Sequence, residues 1–284
     1  MSLFGNGKYG GSDLALERMR APLECEGVLF RREEKMLAGK ALRWERIRIF
    51  SQEGAKAIGR PEGNYNTLST ERMDKLTREE ISEVAREIAD ELKGLHPTQS
   101  LSSLMILVVG LGNMGLTPDS VGPRAASMIN ATLHVSRYDE ELFESMNCAQ
   151  IAVIAPGVRS ESGIDAADAA GAICEVLLPD LVIAIDSLAA RDISRLGTTV
   201  QISDTGIFPG SGIGGRRMPI NEETMGAPVI SIGIPTVISA SDLCLGECDA
   251  APSDLFVSPT VIDAIAKSGA EIISKAVNMA FGII

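Results

Sequence analysis

Two aspartates stand beside apolar runs that predict buried strands. Leu104–Val109 is uninterrupted, as in strands buried on both faces of a parallel sheet, and Asp119 follows its glycine-rich turn. Asp186 directly follows a second such run, Leu181–Ile185. Because ligands bind at the carboxyl ends of parallel strands, the two acids can face one cleft. Two close carboxylates split their pKa values, which supplies an acid and a base from one residue type.

Each aspartate also has a purely structural explanation. Thr117, Pro118 and Asp119 suit the start of a helix, as a cap, a first-turn proline and an acid that complements the helix dipole. Asp186 by itself is a common turn former. Spacing alone therefore leaves both the catalytic and the structural interpretation open.

The glycines between the first strand and Asp119 match a dinucleotide-binding pattern. Gly110, Gly112 and Gly115 form GxGxxG after a strand, which makes a nucleotide-binding α/β oxidoreductase an alternative. In that fold the helix opens within the glycine loop and its N-terminus holds the pyrophosphate. Here Pro118 and Asp119 predict a later helix start and place a carboxylate where phosphate would lie. A structural turn is the better interpretation.

A second loop holds an aspartate in another familiar motif. Asp204-Thr205-Gly206 matches the DTG of pepsin-like proteases, but that fold is mostly β and joins two such loops around a shared proton. This chain has one DTG among alternating strands and helices, so the pepsin-like interpretation fails. Asp204 remains a candidate for lining a site, although an aspartate that braces its own turn is commoner.

The loop that follows is rich in glycine and offers many backbone N–H groups. Gly210, Ser211 and Gly212 are therefore candidates for holding an oxyanion or a substrate backbone. A nucleophilic Ser211 would need a base, and the only histidines, His96 and His134, lie in unrelated segments. A Ser-His-Asp triad is not expected.

Composition excludes several classes of function. The chain of 284 residues is 45% hydrophobic and carries a formal net charge of −12. Nucleic acids and anionic membranes bind surfaces with clustered Lys and Arg, which a net negative chain does not favour. Met1–Gly11 does not resemble a signal peptide, and no apolar run approaches the ~20 residues that span a bilayer. We therefore expect a cytoplasmic protein that acts on a protein or small molecule, without direct contact with nucleic acid or membrane.

Cysteine and histidine do not predict a disulfide framework or a zinc site. The five cysteines are an odd number without paired metal-type spacing. Cys244 and Cys248 could pair or bind metal, but free thiols in a cytosolic loop are the better interpretation. With two histidines in the whole chain, a histidine-rich metal site is hard to build.

Strand and helix patterns alternate along most of the chain. Buried strands are predicted at Leu104–Val109, Gln150–Pro156, Leu181–Ile185, Thr198–Ile202 and Val229–Ile234, and helices at Thr70–Leu95, Asp119–Ala131, Gly163–Leu178, through Arg191 and at Pro259–Phe281. Gly27–Arg31 and Leu42–Phe50 indicate an edge hairpin, and Gly63–Ser69 is turn-rich. The pattern predicts an α/β fold with a mainly parallel sheet and helices on both faces.

Five segments carry a likeness to a known family. They are GAKAIGRPEGNYNTL from Gly54, VVGLGNMGLTPDSVGP from Val108, AVIAPGV from Ala152, LVIAIDSLAARDISRLGTTVQISDTGIFPGSGIGG from Leu181, and GAPVISIGIPTVISA from Gly226. Together they resemble the germination protease (spore protease) family, which degrades small acid-soluble spore proteins when spores germinate. The likeness covers most of the chain from about Ser12 onwards. Several long, ordered matches are far more specific than a single glycine motif.

This resemblance implies an atypical aspartic endopeptidase whose essential acids correspond to Asp119, in TPDSVGP, and Asp186, in AIDSLAAR. The implied fold is similar to that of the hydrogenase-maturation proteases, a phosphorylase/hydrolase-like α/β sandwich in which the corresponding acids bind a metal together with a histidine. Since no histidine lies in a matching motif here, we expect no cofactor and a metal-free pair. A divalent metal at Asp119 and Asp186 is the alternative.

Further residues are candidates for handling the substrate. Asn113 and the glycine loop from Gly210 are expected to position substrate or stabilise the oxyanion, and Asp204 is a further candidate. Four basic residues could recognise an acidic substrate, although most such residues are solvated surface charges. They are Arg159, Arg191, Arg216 and Arg217.

The resemblance also implies a zymogen and an assembly. Residues 1–11 are expected to be a propeptide arm that is removed near Gly11 and Ser12, ahead of a single α/β peptidase domain, 12–284, with a β-rich N-terminal extension at about 20–70. A tetramer in the forespore or spore core is implied. Between Leu243 and Leu255 the chain is shorter than is usual in the family, which a surface loop tolerates.

Overall fold

Within the described residues, a single mixed sheet of nine strands forms the centre of the protein. The computed structural model describes residues 12–18, 26–37, 39–96, 100–210, 218–243 and 255–283. The strands are β1 Val28–Leu37, β2 Lys40–Ile49, β3 Gly63–Ser69, β4 Met105–Gly110, β5 Gln150–Ile154, β6 Leu181–Ala190, β7 Thr199–Ser203, β8 Val229–Ser239 and β9 Phe256–Val257. Their order is β1-β2-β3-β7-β8-β6-β4-β5, with β9 paired to β8.

The α/β class is confirmed, but the prediction of a mainly parallel sheet is wrong. Strands β8, β6, β4 and β5 form a parallel half, whereas the pairs β1–β2, β2–β3, β3–β7, β7–β8 and β8–β9 are antiparallel. Strands β1 and β2 follow one another through a tight turn, which allows antiparallel pairing but is too short for a parallel crossover. Strand β3 follows a longer connection, 50–62, and is antiparallel to both of its neighbours, β2 and β7.

One segment predicted to be a turn is a strand. Gly63–Ser69 forms β3, which pairs with β2 on one side and β7 on the other. Its polar Asn66 and Thr67 are buried there. The predicted edge hairpin is confirmed as β1 and β2, and β3 joins it to the rest of the sheet.

Helices cover both faces of the sheet, as predicted. They are α1 Gln52–Ile58, α2 Arg78–Leu95, α3 Val121–Ala126, α4 Leu133–Tyr138, α5 Glu140–Met146, α6 Arg159–Ser162, α7 Ala166–Leu177, α8 Glu222–Met225, α9 Ala240–Leu243 and α10 Ile262–Ala280. Helices α2 and α10 pack with Ile106, Ile183 and Ile232 on one face. Helix α7 packs with Leu107 and Val182 on the other.

The long amphipathic pattern forms a helix over its second part. The sequence predicts a helix at Thr70–Leu95, whereas α2 begins at Arg78, after a separate 3-10 turn at Met73–Lys75. Thr77 and Glu80 form a capping box at the start of α2, each side chain bonding the other residue's backbone N–H. The buried positions recur at helical spacing, with Ile81, Val84 and Ile88 in the main core. Between them Arg86 and Asp90 are exposed, whereas Glu87 and Glu91 accept hydrogen bonds from Trp44 and Arg46 of β2.

Two elements near Asp119 and Asp186 differ from the prediction. The helix after β4 is short, since a 3-10 turn at Thr117–Asp119 precedes α3 and α3 ends at Ala126. Strand β6 does not end before Asp186 but continues to Ala190, where the sequence predicts a helix. The extension is held by β8, which pairs with it as far as Ile238.

Two glycines allow α3 to pack directly on the strands that carry the site. A Cβ on Gly122 would lie 2.2 Å from Leu111 O and 2.4 Å from Ile185 O, and a Cβ on Gly110 would lie 2.4 Å from Gly122 O. No side chain fits at these distances, so the helix backbone rests on the end of β4 and on β6. The turn before α3 is thereby fixed above β6.

We expect Gly122→Ala to lower the free energy of unfolding by about 3 kcal/mol, at the upper end for overpacking, because the clashing atoms are backbone oxygens that cannot rotate away. Urea-induced unfolding measures the change. The matched control is Gly94→Ala in α2, where nothing lies within 4 Å of the added Cβ. There a gain of about 0.5 to 1 kcal/mol is expected. Equal effects of the two changes would contradict the packing argument.

Candidate active site

Asp119 and Asp186 line one cavity of about 470 Å³. Leu111 and Gly112, directly after β4, form part of its wall, so the cavity lies at the carboxyl end of that strand. This is where ligands bind in parallel sheets. The wall also includes residues of β6, β8 and β9, so the cavity lies between several elements that are distant in sequence.

Asp119 is held by the glycine loop that precedes it. The backbone N–H of Asn113 donates to Asp119 Oδ2 at 2.9 Å and to Asp119 O at 3.0 Å. Gly112 makes this possible, because its φ is +113° and a Cβ there would lie 2.1 Å from Asp119 O. The GxGxxG loop therefore wraps around a carboxylate, and the helix after it begins only at Val121.

Asp186 lies within β6, just past the end of its neighbour β4. The last β4–β6 pair joins Gly110 to Ile185, and on its other side Asp186 pairs with Gly233 of β8. Its side chain is 5% exposed, and its Oδ1 accepts from Ser187 N at 2.8 Å. A carboxylate so buried is held by the sheet itself, whereas Asp119 is half-buried on a turn.

Direct bonds join the two segments that carry the acids. Leu111 N donates to Ile185 O at 2.7 Å, which extends the β4–β6 contact beyond the last strand pair. Val121 N, two residues after Asp119, donates to Ser187 Oγ at 3.4 Å. The positions of the two aspartates are thus coupled through backbone and hydroxyl contacts, and both face the same cavity.

The other predicted substrate-positioning residues divide into three groups. Asn113 and Gly210 line the cavity, and Asn113 Oδ1 accepts from Gly115 N at 2.7 Å. Asp204 is not part of this wall: its Oδ1 and Oδ2 accept from the backbone and side chain of Asn64, at 2.7 and 2.6 Å. Ser211 and Gly212 lie outside the described residues.

The basic candidates are placed differently from one another. Arg159 forms an ion pair with Asp165 and is mostly exposed. Arg191 Nε lies 3.9 Å from Asp242 Oδ1, and its backbone N–H donates to Glu17 Oε2 at 2.7 Å. Arg216 and Arg217 lie outside the described ranges. Their role in recognising a substrate stays a prediction.

Asp13 is a third acid in the cavity wall, and sequence analysis did not select it. Its backbone N–H donates to Ala189 O at 2.9 Å, and its Oδ2 accepts from Ala189 N at 2.9 Å. The other two acids were selected because each follows an apolar run that predicts a buried strand. Asp13 follows no such run, so this criterion could not identify it. Only the tertiary contact with β6 reveals it.

Two arginines hold the backbone beside Asp13. Arg18 Nε and NH2 donate to Ser12 O at 3.2 and 3.1 Å, and Arg60 NH2 donates to Ser12 O at 3.0 Å and to Asp13 O at 2.7 Å. Burial, together with the charge of Arg60, lowers the pKa of Arg18 to about 10. Ser12 and Leu14 are buried, so the segment that begins at Ser12 is packed into the fold. Gly11 lies outside the described residues.

A bulge in β8 forms another part of the cavity wall. Leu188 pairs with Pro235 but Ala189 pairs with Val237, which leaves Thr236 as the extra residue. After the bulge, equivalent side chains point to the opposite face of the sheet. Ile234 packs in the main core, whereas Ile238, which would share its face in a regular strand, packs with Leu188. Thr236 is buried, and its Oγ1 has no hydrogen-bond partner within the described ranges.

The described part of the cavity wall offers carboxylates but no histidine. Neither His96, at the end of α2, nor His134, in α4, belongs to the wall. Across the part of the chain that the structure describes, no group of three or more His, Cys, Asp or Glu could hold a metal ion. Cys148 and Cys174 are free and buried there.

None of the helices within the described ranges has the length and apolar composition that a membrane crossing requires.

Asp204→Ala tests whether this acid braces the fold. We expect it to lower the free energy of unfolding by about 2 to 3 kcal/mol, because both bonds to Asn64 involve a charged acceptor, and to leave kcat/KM of the folded enzyme unchanged. Asn64→Ala, which removes only the side-chain donor, should cost less. Urea unfolding and steady-state kinetics measure the two effects. Lost activity with unchanged stability would instead assign Asp204 to the site.

Comparisons with known proteins agree with the resemblance in the sequence. A family model described as germination protease matches residues 17–250. The germination protease of Clostridium perfringens is 33% identical, over 95% of this chain and 94% of its own. Those of Caldanaerobacter subterraneus and Priestia megaterium are each 39% identical, over 81% and 80% of this chain and 69% and 61% of theirs. The chain belongs to the germination protease family.

Proposed function

We propose that this chain is an endopeptidase that starts the degradation of small acid-soluble spore proteins during germination. The observation that carries the proposal is that Asp119 and Asp186, from different elements, line one cavity. These are also the two acids to which the family resemblance assigns the chemistry. Membership of the germination protease family supports a protease, and the pair supplies a means of activating water.

In the proposed mechanism one carboxylate is the general base. It takes a proton from water, and the oxygen of that water attacks the scissile carbonyl carbon. The partner carboxyl, protonated at the start, donates a hydrogen bond to the carbonyl oxygen and then transfers its proton to the leaving amine. The pair then holds one proton again, now on the base, and the transfer of this proton to the partner carboxylate restores the starting state.

Each acid is held by a backbone donor beside the cavity. Asp119 Oδ2 accepts from Asn113 N at 2.9 Å, and Asp186 Oδ1 accepts from Ser187 N at 2.8 Å. The proposed mechanism needs one charged and one protonated carboxyl group, and either acid can take either role. Gly210, in the same wall, is our candidate for contacting the substrate backbone.

Asp119→Asn and Asp186→Asn should each reduce kcat/KM for a spore-protein substrate by at least about a hundredfold, because either change removes one of the two proton-transfer groups. The matched control is Asp168→Asn, in the exposed first turn of α7, which should retain wild-type kinetics. Each variant is compared by unfolding midpoint to verify that it folds.

Cleavage at the wild-type rate by either Asp119→Asn or Asp186→Asn would rule out the acid pair.

Treatment with a chelator tests the alternative of a divalent metal at Asp119 and Asp186. The metal-free mechanism predicts unchanged activity after treatment with a chelator and dialysis. Loss of activity, restored by adding a divalent metal, would favour the metal-dependent mechanism.

We propose further that the protein is made as a zymogen that removes its own first residues near Gly11 and Ser12. The segment that follows, which begins at Ser12 and is hydrogen-bonded by Arg18 and Arg60, supports this proposal. We call it the clamped segment. Arg18 and Arg60 hold Ser12 O, and Asp13 reaches the cavity, so the chain enters the fold beside the acids.

N-terminal sequencing of purified active enzyme tests the zymogen. We expect the mature chain to begin near Ser12, because the arm before it lies ahead of the clamped segment. Asp119→Asn should keep residues 1–11, since it lacks the activity that removes them, and Asp168→Asn should be processed like wild type. Active enzyme that retains its first residues would contradict the proposal.

The assembly and the location follow from the family resemblance alone. We propose a homotetramer in the forespore or spore core, with small acid-soluble spore proteins as substrates. The shortened segment between Leu243 and Leu255 falls almost wholly outside the described residues.

A further inference from the structure

A second polar cavity, of about 410 Å³, shares no wall residue with the candidate active site. It lies where β1 and β2 meet the turn Ile193–Arg195 and the start of β7. Arginines from three different segments line it, namely Arg32, Arg43 and Arg195. Such a concentration of guanidinium groups is unexpected in a chain with a net charge of −12.

One buried carboxylate accounts for two of these arginines. Glu45 is 1% exposed. Arg32 donates to its Oε1 through Nε at 3.2 Å and NH2 at 2.6 Å, and Arg195 NH1 donates to its Oε2 at 3.4 Å. A buried carboxylate needs such partners, because an unpaired buried charge is strongly unfavourable. Both oxygens of Glu45 are thus satisfied without the third arginine.

Arg43 is paired with Glu45 by charge but forms no hydrogen bond with it. Its Nε lies 3.7 Å from Glu45 Oε2, too far for a hydrogen bond. That Nε is buried and has no hydrogen-bond partner within the described residues. The side chain as a whole is 41% exposed, so a small solute in the cavity can reach its exposed part. Arg43 can therefore bind an anion without losing a hydrogen bond to Glu45.

The remaining groups of the wall complete an anion site. Asp192 is the other acid, and its Oδ1 accepts from Ser194 N at 2.9 Å. Three guanidinium groups therefore face two carboxylates that are already engaged. Hydroxyl groups also line the cavity, including Ser69, whose Oγ accepts from Arg195 Nη1 at 3.0 Å, and Thr199. Guanidinium groups and hydroxyls are the donors that bind oxyanions in proteins.

We propose that this cavity binds a small oxyanion with at least two negative charges, with Arg43 as its principal ligand. The planar guanidinium group of Arg43 can donate two parallel hydrogen bonds to such an anion. Arg32 and Arg195 add their charge while they remain bound to Glu45. The proposal does not depend on the protease activity, because binding is measured without a substrate.

Isothermal titration of the full chain with inorganic phosphate, at constant ionic strength and pH 7.5, tests the site. We expect saturable binding of one phosphate per chain, at least about tenfold tighter than acetate, which carries one charge. Arg43→Gln should raise the dissociation constant for phosphate about tenfold or more, because it removes a charge-assisted donor. Arg48→Gln, an exposed position on the same strand, is the matched control and should bind like wild type.

Glu45→Gln should lower the dissociation constant for phosphate, whereas Arg43→Gln should raise it. Glu45→Gln removes the carboxylate that competes for Arg32 and Arg195, so phosphate should bind to this variant more tightly than to wild type. If this variant does not fold, the comparison of Arg43→Gln with Arg48→Gln decides alone. Absence of saturable binding, equal affinity for acetate, or equal binding by the two arginine variants would overturn the proposal.

Discussion

Close backbone contact between helix α3 and the ends of β4 and β6 is the constraint on which the candidate active site depends. Gly122 rests on Leu111 O and Ile185 O, at distances that leave no room for a side chain. The contact fixes the turn before α3, and with it Asp119, above the strand that carries Asp186. Protein interiors resist such displacements because they are close-packed. Two acids from segments far apart in sequence therefore line one cavity.

Strand β6 contributes a second constraint, because it is longer than its parallel neighbour. Strand β4 ends at Gly110, and β6 runs on with β8 as its partner. Asp186 is the first residue of β6 past the end of β4, so it is fixed by a strand and still reaches a cavity. The N-terminal segment then covers the extension, with Leu14 packed against Leu188. The region next to the proposed processing site is thus structurally part of the cavity wall.

Charge is distributed unevenly across the sheet, and the two cavities differ accordingly. Asp13, Asp119 and Asp186 line the first, whereas three arginines gather around Glu45 in the second. The positive cluster lies on the antiparallel half, which the sequence pattern did not predict correctly. A sheet of mixed direction thereby carries an acidic site at the end of its parallel strands and a basic site on its antiparallel extension.

The sequence by itself predicted the parallel strands and the long amphipathic helix, because apolar runs and helical periodicity are local signals. It also identified Asp119 and Asp186 as the two acids that follow buried strands. It also carried the family resemblance. Tertiary structure decided the strand character of Gly63–Ser69, the length of β6 and the presence of Asp13 in the cavity wall. Each of these depends on a partner distant in the chain: β3 needs β2 and β7, and Asp13 needs Ala189. Such pairings leave no period in the sequence, so only the folded chain reveals them.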